Sequence, residues 1–359
     1  MRYSIISADS HVIEPPDLWV KGLEATYQSR SPRLVREGDG DRWVCNDAVM
    51  PPIGALAGVA RTMEEKGRGG RYETDVPKGG YDPDARLADM AKDGIDAEVL
   101  YPTVALRMFG MSDGELQTAF FRAYNSWLAR HCNSHPEHLK GIGLISMHDI
   151  ESAVGELRRS KELGLAGGLV LLEGSRFHEP QYEPFWAAAE QLDMPIGMHV
   201  ATGVTTRELS LVEHTVHSVQ SQRVLAALVY SGLFDRHPNL KLVSVEAEIG
   251  WAAYLIERMD LFYKTLKNLR KREMLCSRLP SETFHHNVFF TFMRDRSGIL
   301  AREVIGLRNI MWSSDYPHHG STWPHSREAI AEQMRGIPAS DVRRIVCENA
   351  ATLYGFSMS

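Results

Sequence analysis

Asp82-Pro83-Asp84-Ala85-Arg86-Leu87-Ala88-Asp89-Met90-Ala91-Lys92-Asp93-Gly94-Ile95-Asp96-Ala97-Glu98-Val99-Leu100-Tyr101 contains the unit through which the whole chain is read. Pro83 suits the first turn of a helix, where its missing N–H would have had no partner. The helix runs to Lys92, Asp93-Gly94 ends it, and Ala97 to Tyr101 follows as a short apolar strand. A helix feeding a buried strand is one step of an alternating α/β architecture.

The step recurs downstream. Leu116, Phe120, Tyr124 and Leu128 share one helix face within 113–134, and His135-Pro136 stops that helix before a strand in 139–147. A helix at 150–163 feeds 166–172, one at 183–192 precedes Met194 to Val200, and one over much of 212–234 leads to 240–245. The pattern from Trp251 to about Arg272 leads to 287–292, and 295–306 leads to 309–315. With the opening run Tyr3 to Ile6 there are eight short apolar strands, the number that closes a parallel ring. The predicted fold is therefore α/β, a (β/α)8 TIM barrel. An open doubly wound sheet competes with it, but the first strand is followed by no glycine-rich phosphate turn.

Helices at about 323–336 and 339–354 are extra C-terminal elements that complete the outer ring and pack its bottom. Residues 16–80 are rich in Gly, Pro and charge, as in Gly67-Arg68-Gly69-Gly70 and Lys78-Gly79-Gly80, and a short strand is expected at Arg42–Cys45. Long irregular segments in compact proteins tend to be functional. This one reads as a lid or interface insertion after the first strand, within a single domain over 1–359.

Composition bounds the partners. Hydrophobic residues make up 43% and charged residues 24%, as in soluble globular proteins. The formal net charge is -6 and the one basic cluster, Lys264 to Arg272, reads as a solvated helix face, so nucleic acid is not an expected partner. No apolar run approaches the ~20 residues that span a bilayer, and no leader is recognisable, so a cytoplasmic location with no membrane contact is expected. Cys45, Cys132, Cys276 and Cys347 are scattered and read as reduced thiols.

Barrel enzymes place their chemistry where the strands end. In Ser7-Ala8-Asp9-Ser10-His11-Val12-Ile13-Glu14-Pro15, Asp9 and His11 are two apart and point to the same side of the first strand, with Glu14 just beyond. The fifth strand ends at His199, the sixth at Glu246 with Glu248 two further on, and the eighth at Asp315, followed by Tyr316-Pro317-His318-His319. Alone, His199 would read as a core histidine and Asp315 as a helix cap. Four strands delivering ligand-type side chains to one rim instead point to a metal site.

These pieces carry a resemblance. The opening D-S-H-V-I-E-P, Met198-His199, Trp312-Ser313-Ser314-Asp315-Tyr316-Pro317-His318 and the closing Glu348-Asn349-Ala350 before Leu353-Tyr354-Gly355 resemble the amidohydrolase superfamily. The similar branch is the one that includes aminocarboxymuconate-semialdehyde decarboxylase-like enzymes. The resemblance implies metal ligands at Asp9, His11, His199, Glu246 and Asp315. Asp9 stands where that branch has the first histidine of H-x-H, and Glu246 where it often has a sixth-strand histidine. Carboxylates in place of imidazoles favour Fe or Mn over Zn. With Glu14 completing D-x-H-x-x-E, one or two divalent ions are expected, Glu14, Glu246 and His318 being candidates for the second.

The implied function is a metal-dependent hydrolase or non-oxidative decarboxylase acting on a small organic acid or amide, with Asp315 and His318 catalytic. The alternative is a dinuclear non-haem iron (or Mn/Fe) oxygenase, a diiron monooxygenase hydroxylating a small carboxylate. A catalytically dead binding protein is a third reading, which leaves the full ligand set without a purpose. His319, His214 and His217 are further proton-transfer candidates, the last two lying on one face of a helix or simply on its surface. For substrate binding the candidates are Arg294, His214 and Trp323, with Arg296 beside the first and Met108 and Phe109 as a pocket wall or core. His285-His286 lie at the barrel bottom and read as structural. Relatives of this kind commonly form dimers, so a homodimer is expected.

Overall fold

In the computed structural model, which describes residues 3–38, 40–45, 48–59, 69–172, 176–200 and 211–358, the predicted ring is present. Its strands are β1 (Ile6–His11), β5 (Ala97–Tyr101), β6 (Leu139–Leu144), β7 (Gly167–Val170), β8 (Ile196–His199), β9 (Leu242–Val245), β10 (Val288–Phe292) and β11 (Ile310–Trp312), hydrogen-bonded in that order. Neighbours run parallel throughout. The last seam is drawn together by two backbone bonds, Asp315 N–H to the Asp9 carbonyl at 3.1 Å and His11 N–H to the Tyr316 carbonyl at 2.6 Å. Both sides of each strand are covered, which is why the strands read as apolar runs rather than alternating ones.

The quoted step forms as its residues dictate. Asp82 caps the helix Pro83–Asp93 by accepting the N–H groups of Asp84 and Ala85, and Gly94 ends it at φ +76°, a left-handed turn that glycine adopts freely. Helix Gly114–Asn133 is likewise capped by Asp113. Three boundaries differ from expectation. The single helix over 212–234 is broken into Leu211–Val216, Ser218–Tyr230 and Leu233–Arg236, the last break at Gly232. Residues 295–306 form two short helices, Arg296–Leu300 and Arg302–Ile305, and the sequence reading missed Pro280–Asn287, whose start is marked by Leu279-Pro280. The C-terminal helices are Ser326–Gln333 and a run from Ala339 to Tyr354, widened to a π turn at Arg344–Glu348.

The insertion is more regular than one short strand. β2 (Arg33–Glu37), β3 (Gly40–Cys45) and β4 (Ala48–Pro52) form an antiparallel sheet. Trp43 and Cys45 are buried while Val44 is exposed, the alternation of a sheet with one covered face, and Trp43 meets Trp19 edge-on. Part of the Gly67-to-Gly70 stretch lies outside the described residues. The insertion reaches the barrel mouth, where Val59 N–H bonds the Pro317 carbonyl at 3.3 Å and Tyr72 donates its hydroxyl to the Ile13 carbonyl. Among the described residues no helix is long and apolar enough to cross a membrane.

Candidate metal centre

Six side chains converge at the strand ends. Among the described residues, Asp9, His11, His199 and Glu246 form one group of ligand-type atoms, and His11, Glu246, Asp315 and His318 form an overlapping one. β1 ends at His11 and β8 at His199. Glu246 lies one residue past β9, and Asp315 three past β11. The backbone at Glu246, Glu248 and Asp315 is left-handed, at φ +57°, +54° and +55°. Such conformations cost about 1–3 kcal/mol for residues with a Cβ and cluster at sites where the surroundings impose them.

Hydrogen bonding outside the cluster aims the histidines into it. His11 Nδ1 lies 2.6 Å from the Pro102 carbonyl and His199 Nδ1 2.6 Å from the Val200 carbonyl. A carbonyl can only accept, so each Nδ1 carries a hydrogen, and each Nε2, once free of its own proton, offers its lone pair to the cluster. The two Nε2 atoms face each other at 3.3 Å. Asp9 Oδ1 lies 3.4 Å from His11 Nε2, Asp315 Oδ1 at 3.4 Å, and Glu246 Oε2 3.0 Å from His199 Nε2. Asp9 Oδ1 is buried with no hydrogen-bond partner among the described residues. Paired lone pairs and an orphaned carboxylate oxygen, all aimed at one point, fit a divalent cation and fit little else.

Protons compensate the gathered carboxylates. Burial pushes Asp9 up to about 7, His199 working against the rise and Glu246 adding to it. Burial opposes charge on His199, but Glu246 overrides it and lifts the imidazole to about 9. Burial likewise opposes ionisation of Glu246, which is held well below the usual carboxylate range by His199. Burial and the neighbouring His318 keep His11 well below the ordinary imidazole value. Asp315 is raised by burial against the pull of His318, and His318 is raised by Asp315 against its own burial.

Other expected residues fall differently. Glu14 is a correction: it joins neither group, because its carboxylate accepts the N–H groups of Thr103, Val104 and Ala105. Trp323 is a second correction. It packs outside the barrel, its indole N–H on the Asp89 carbonyl and Lys92 over its ring, so it lines no mouth. Met108 and Phe109 are buried, Phe109 against Phe121, as the core reading had it. Glu248 caps the end of β10 by accepting from Met293 and Arg294 N–H. Arg294 reaches the Gly320 carbonyl at 2.8 Å, whereas Arg296 is taken up by the Gln333 and Arg335 carbonyls. His214 and His319 are exposed and outside the groups, and His217, half-buried with its Nδ1 against the His214 carbonyl, is outside them too. His285 holds the Val304 carbonyl, and Arg308 lies against His286.

Several residues were missed. Thr291, the one hydroxyl in the apolar run of β10, accepts the Glu246 N–H at 2.9 Å and donates to Asp9 Oδ2 at 3.4 Å. Thr103 lies 3.0 Å from His318 Nε2. On the helix side of β1, fully buried Arg86 pairs with Glu98 at 2.5 Å, donates to the His11 carbonyl at 2.7 Å and stacks on Tyr316. Ser7, Ser10 and Ser314 share hydroxyl contacts beside that pair.

Comparison with known proteins follows this geometry. A family model described as amidohydrolase matches residues 11–356. A gamma-resorcylate decarboxylase from Rhodococcus jostii is 28% identical over 300 residues, 76% of this chain and 87% of that protein. Among solved structures, an amidohydrolase from Mycobacterium avium subsp. paratuberculosis aligns with a TM-score of 0.79 at 22% identity, covering 99% of each chain. A dihydroxybenzoic acid decarboxylase from a Polaromonas species, solved with manganese and 2-nitroresorcinol, aligns with a TM-score of 0.65 at 19% identity, covering 99% of this chain and 97% of that one. The two structural likenesses bear on the fold.

Proposed function

The chain belongs to the amidohydrolase family, and from that premise we propose that it is a metal-dependent decarboxylase releasing carbon dioxide, without an oxidant, from a small aromatic acid. The observation that carries this reading is the pair of histidine Nε2 atoms turned together beside the orphaned Asp9 Oδ1. Asp9, His11, His199, Glu246 and Asp315 would hold the ion, and three carboxylates in that set favour a hard cation such as Mn2+. When bound, a divalent cation supplies positive charge for the substrate's carboxylate and for negative charge that develops as the bond to it breaks.

The remaining work falls to the chain. Decarboxylation replaces a C–CO2 bond by a C–H bond, so the carboxylate and one proton become carbon dioxide and the protonated ring. The site must therefore hold a proton at the reacting carbon. Asp315 and His318 lie 2.8 Å apart and their mutual pull is set against burial, which suits a pair that keeps one proton and passes it on. Arg294, which donates to the Gly320 carbonyl, is read as the group that meets a second anionic group of the substrate. His214 remains a candidate only for an arrangement in which its helix turns inward. The insertion as a lid, a homodimer and a cytoplasmic location belong to the same proposal.

The relatives named above are decarboxylases and an amidohydrolase, which supports this reading over the oxygenase one, and Glu14, the motive for a second ion, is engaged elsewhere. The test is turnover of 2,6-dihydroxybenzoate and 5-carboxyvanillate, acids borne in the names of similar structures, by protein loaded with Mn2+ under nitrogen. Carbon dioxide release without oxygen is expected. Product formation that requires and consumes oxygen would sink the proposal.

A further inference from the structure

Glu14, the residue of the opening motif left outside the cluster, stands at one end of a line of contacts that leads back into it. Its oxygens take the N–H groups of Thr103, Val104 and Ala105 at 3.3, 2.9 and 3.0 Å, pinning the turn that follows β5. Thr103 is 3% exposed and carries its hydroxyl from that turn to 3.0 Å from His318 Nε2. Across the ring, His318 Nδ1 faces Asp315 Oδ1 at 2.8 Å. The same ring stacks on His11 with centroids 3.9 Å apart.

We propose that Thr103 is a positioning residue that fixes the orientation and tautomer of His318, and that Glu14 acts through it by holding the 103–105 turn. The chemical reason lies in what each partner can do. Asp315 Oδ1 lies 2.8 Å from Nδ1, so its negative charge favours the ring hydrogen on Nδ1, which leaves a lone pair on Nε2. The Thr103 hydroxyl donates to that lone pair, and can turn to accept when Nε2 carries a hydrogen, so the contact survives proton transfer. A backbone carbonyl in its place could serve only one of the two forms. Thr103 is β-branched and stiff at χ1, and its own N–H is taken by Glu14, so the hydroxyl stays where the ring needs it. Without it, His318 would be held only on its Asp315 side and against His11, and rotation of the ring would exchange the nitrogen that faces Asp315.

This inference rests on reading Asp315 and His318 as the proton-handling pair, and the experiment keeps the two apart. Protein labelled with 15N at histidine and loaded with Zn2+ reports by NMR which ring nitrogen of His318 carries hydrogen, the signal being assigned by its absence from His318→Gln. Thr103→Val removes the hydroxyl at constant shape. The expected result is loss of the single Nδ1–H signature and a fall of about tenfold in kcat, with KM and bound metal unchanged. Thr103→Ser should restore both, and Glu14→Gln should move both in the same direction as Thr103→Val. An unchanged signature in Thr103→Val, or a serine variant that behaves like the valine one, overturns the role of Thr103. No response to Glu14→Gln removes Glu14 from it. If no acid is turned over by the unmodified protein, the decarboxylase reading fails and the ring signature alone decides on Thr103.

Discussion

Two buried charged clusters lie on opposite sides of β1, and they are built on different principles. On the helix side, Arg86 answers Glu98 at 2.5 Å and spends further donors on the His11 and Gly79 carbonyls. On the mouth side, Asp9 Oδ1 has no partner among the described residues, and two imidazole Nε2 atoms face one another. The first cluster pairs its cation with its anion and ties helix to strand, although Arg86 Nη2, with the guanidinium over the Tyr316 ring, has no hydrogen-bond partner among the described residues. The second is incomplete as protein, which is the condition of a site made for something brought from outside. Burial alone therefore does not distinguish a structural cluster from a functional one. What distinguishes them is that the first sets one cation against one anion, whereas the second gathers several ligand-type atoms around one point.

The comparison breaks first at Arg86. Arg86→Ala leaves Glu98 charged and buried, and should cost about 3–5 kcal/mol of stability, read as a fall in the denaturation midpoint of metal-free and manganese-loaded protein alike. Equal stability of the variant would show that the helix-side cluster does not hold the fold. His199→Ala should do the reverse. Manganese affinity is expected to fall more than about 100-fold by calorimetry, while the melting point of the metal-free protein stays within a few degrees. Retained stoichiometric metal would take His199 out of the ligand set.

A smaller effect sharpens the contrast. Asp9 has an ordinary value of 3.8 and is raised to about 7 in the fold, so between those values the folded chain binds more protons than the unfolded one. Stability from this group is therefore present at low pH and lost as pH rises toward 7. The metal-free protein should lose a few degrees of melting temperature from pH 5 to 7.5, and saturating manganese should reduce that slope by the share of Asp9, since the cation takes the place of its proton, while Glu14 and Glu248, also raised to about 7 by burial, keep theirs. A slope of the same size with manganese bound would count against Asp9 as a ligand.

The ring was legible because each strand is a short apolar run set off by a capped helix, a pattern carried by neighbouring residues. Asp9, His11, His199, Glu246 and Asp315 were legible because strand ends have a known address in such a ring. Glu14 was misassigned because spacing does not say where a side chain turns once the strand has ended, and three backbone N–H groups of a distant turn claimed it. Thr103 and Ser314 are ordinary hydroxyls whose partners are remote in sequence, so nothing local marks them. Arg86 did leave a trace. It shares a buried helix stripe with Met90 and Asp93, and charged residues in such a stripe ask for a partner. Trp323 looked like a pocket wall only because aromatic character carries no direction.

The seam between β11 and β1 has a consequence in the order of synthesis. The backbone bonds that close it belong to Asp9, His11 and Asp315 themselves, through Asp315 N–H to Asp9 and His11 N–H to Tyr316. Asp9 and His11 are synthesised about 300 residues before Asp315, and they meet it only when the final strand has been made. A chain that lacks the final strand cannot bring these side chains together, so the cluster stays incomplete until that strand has joined the ring.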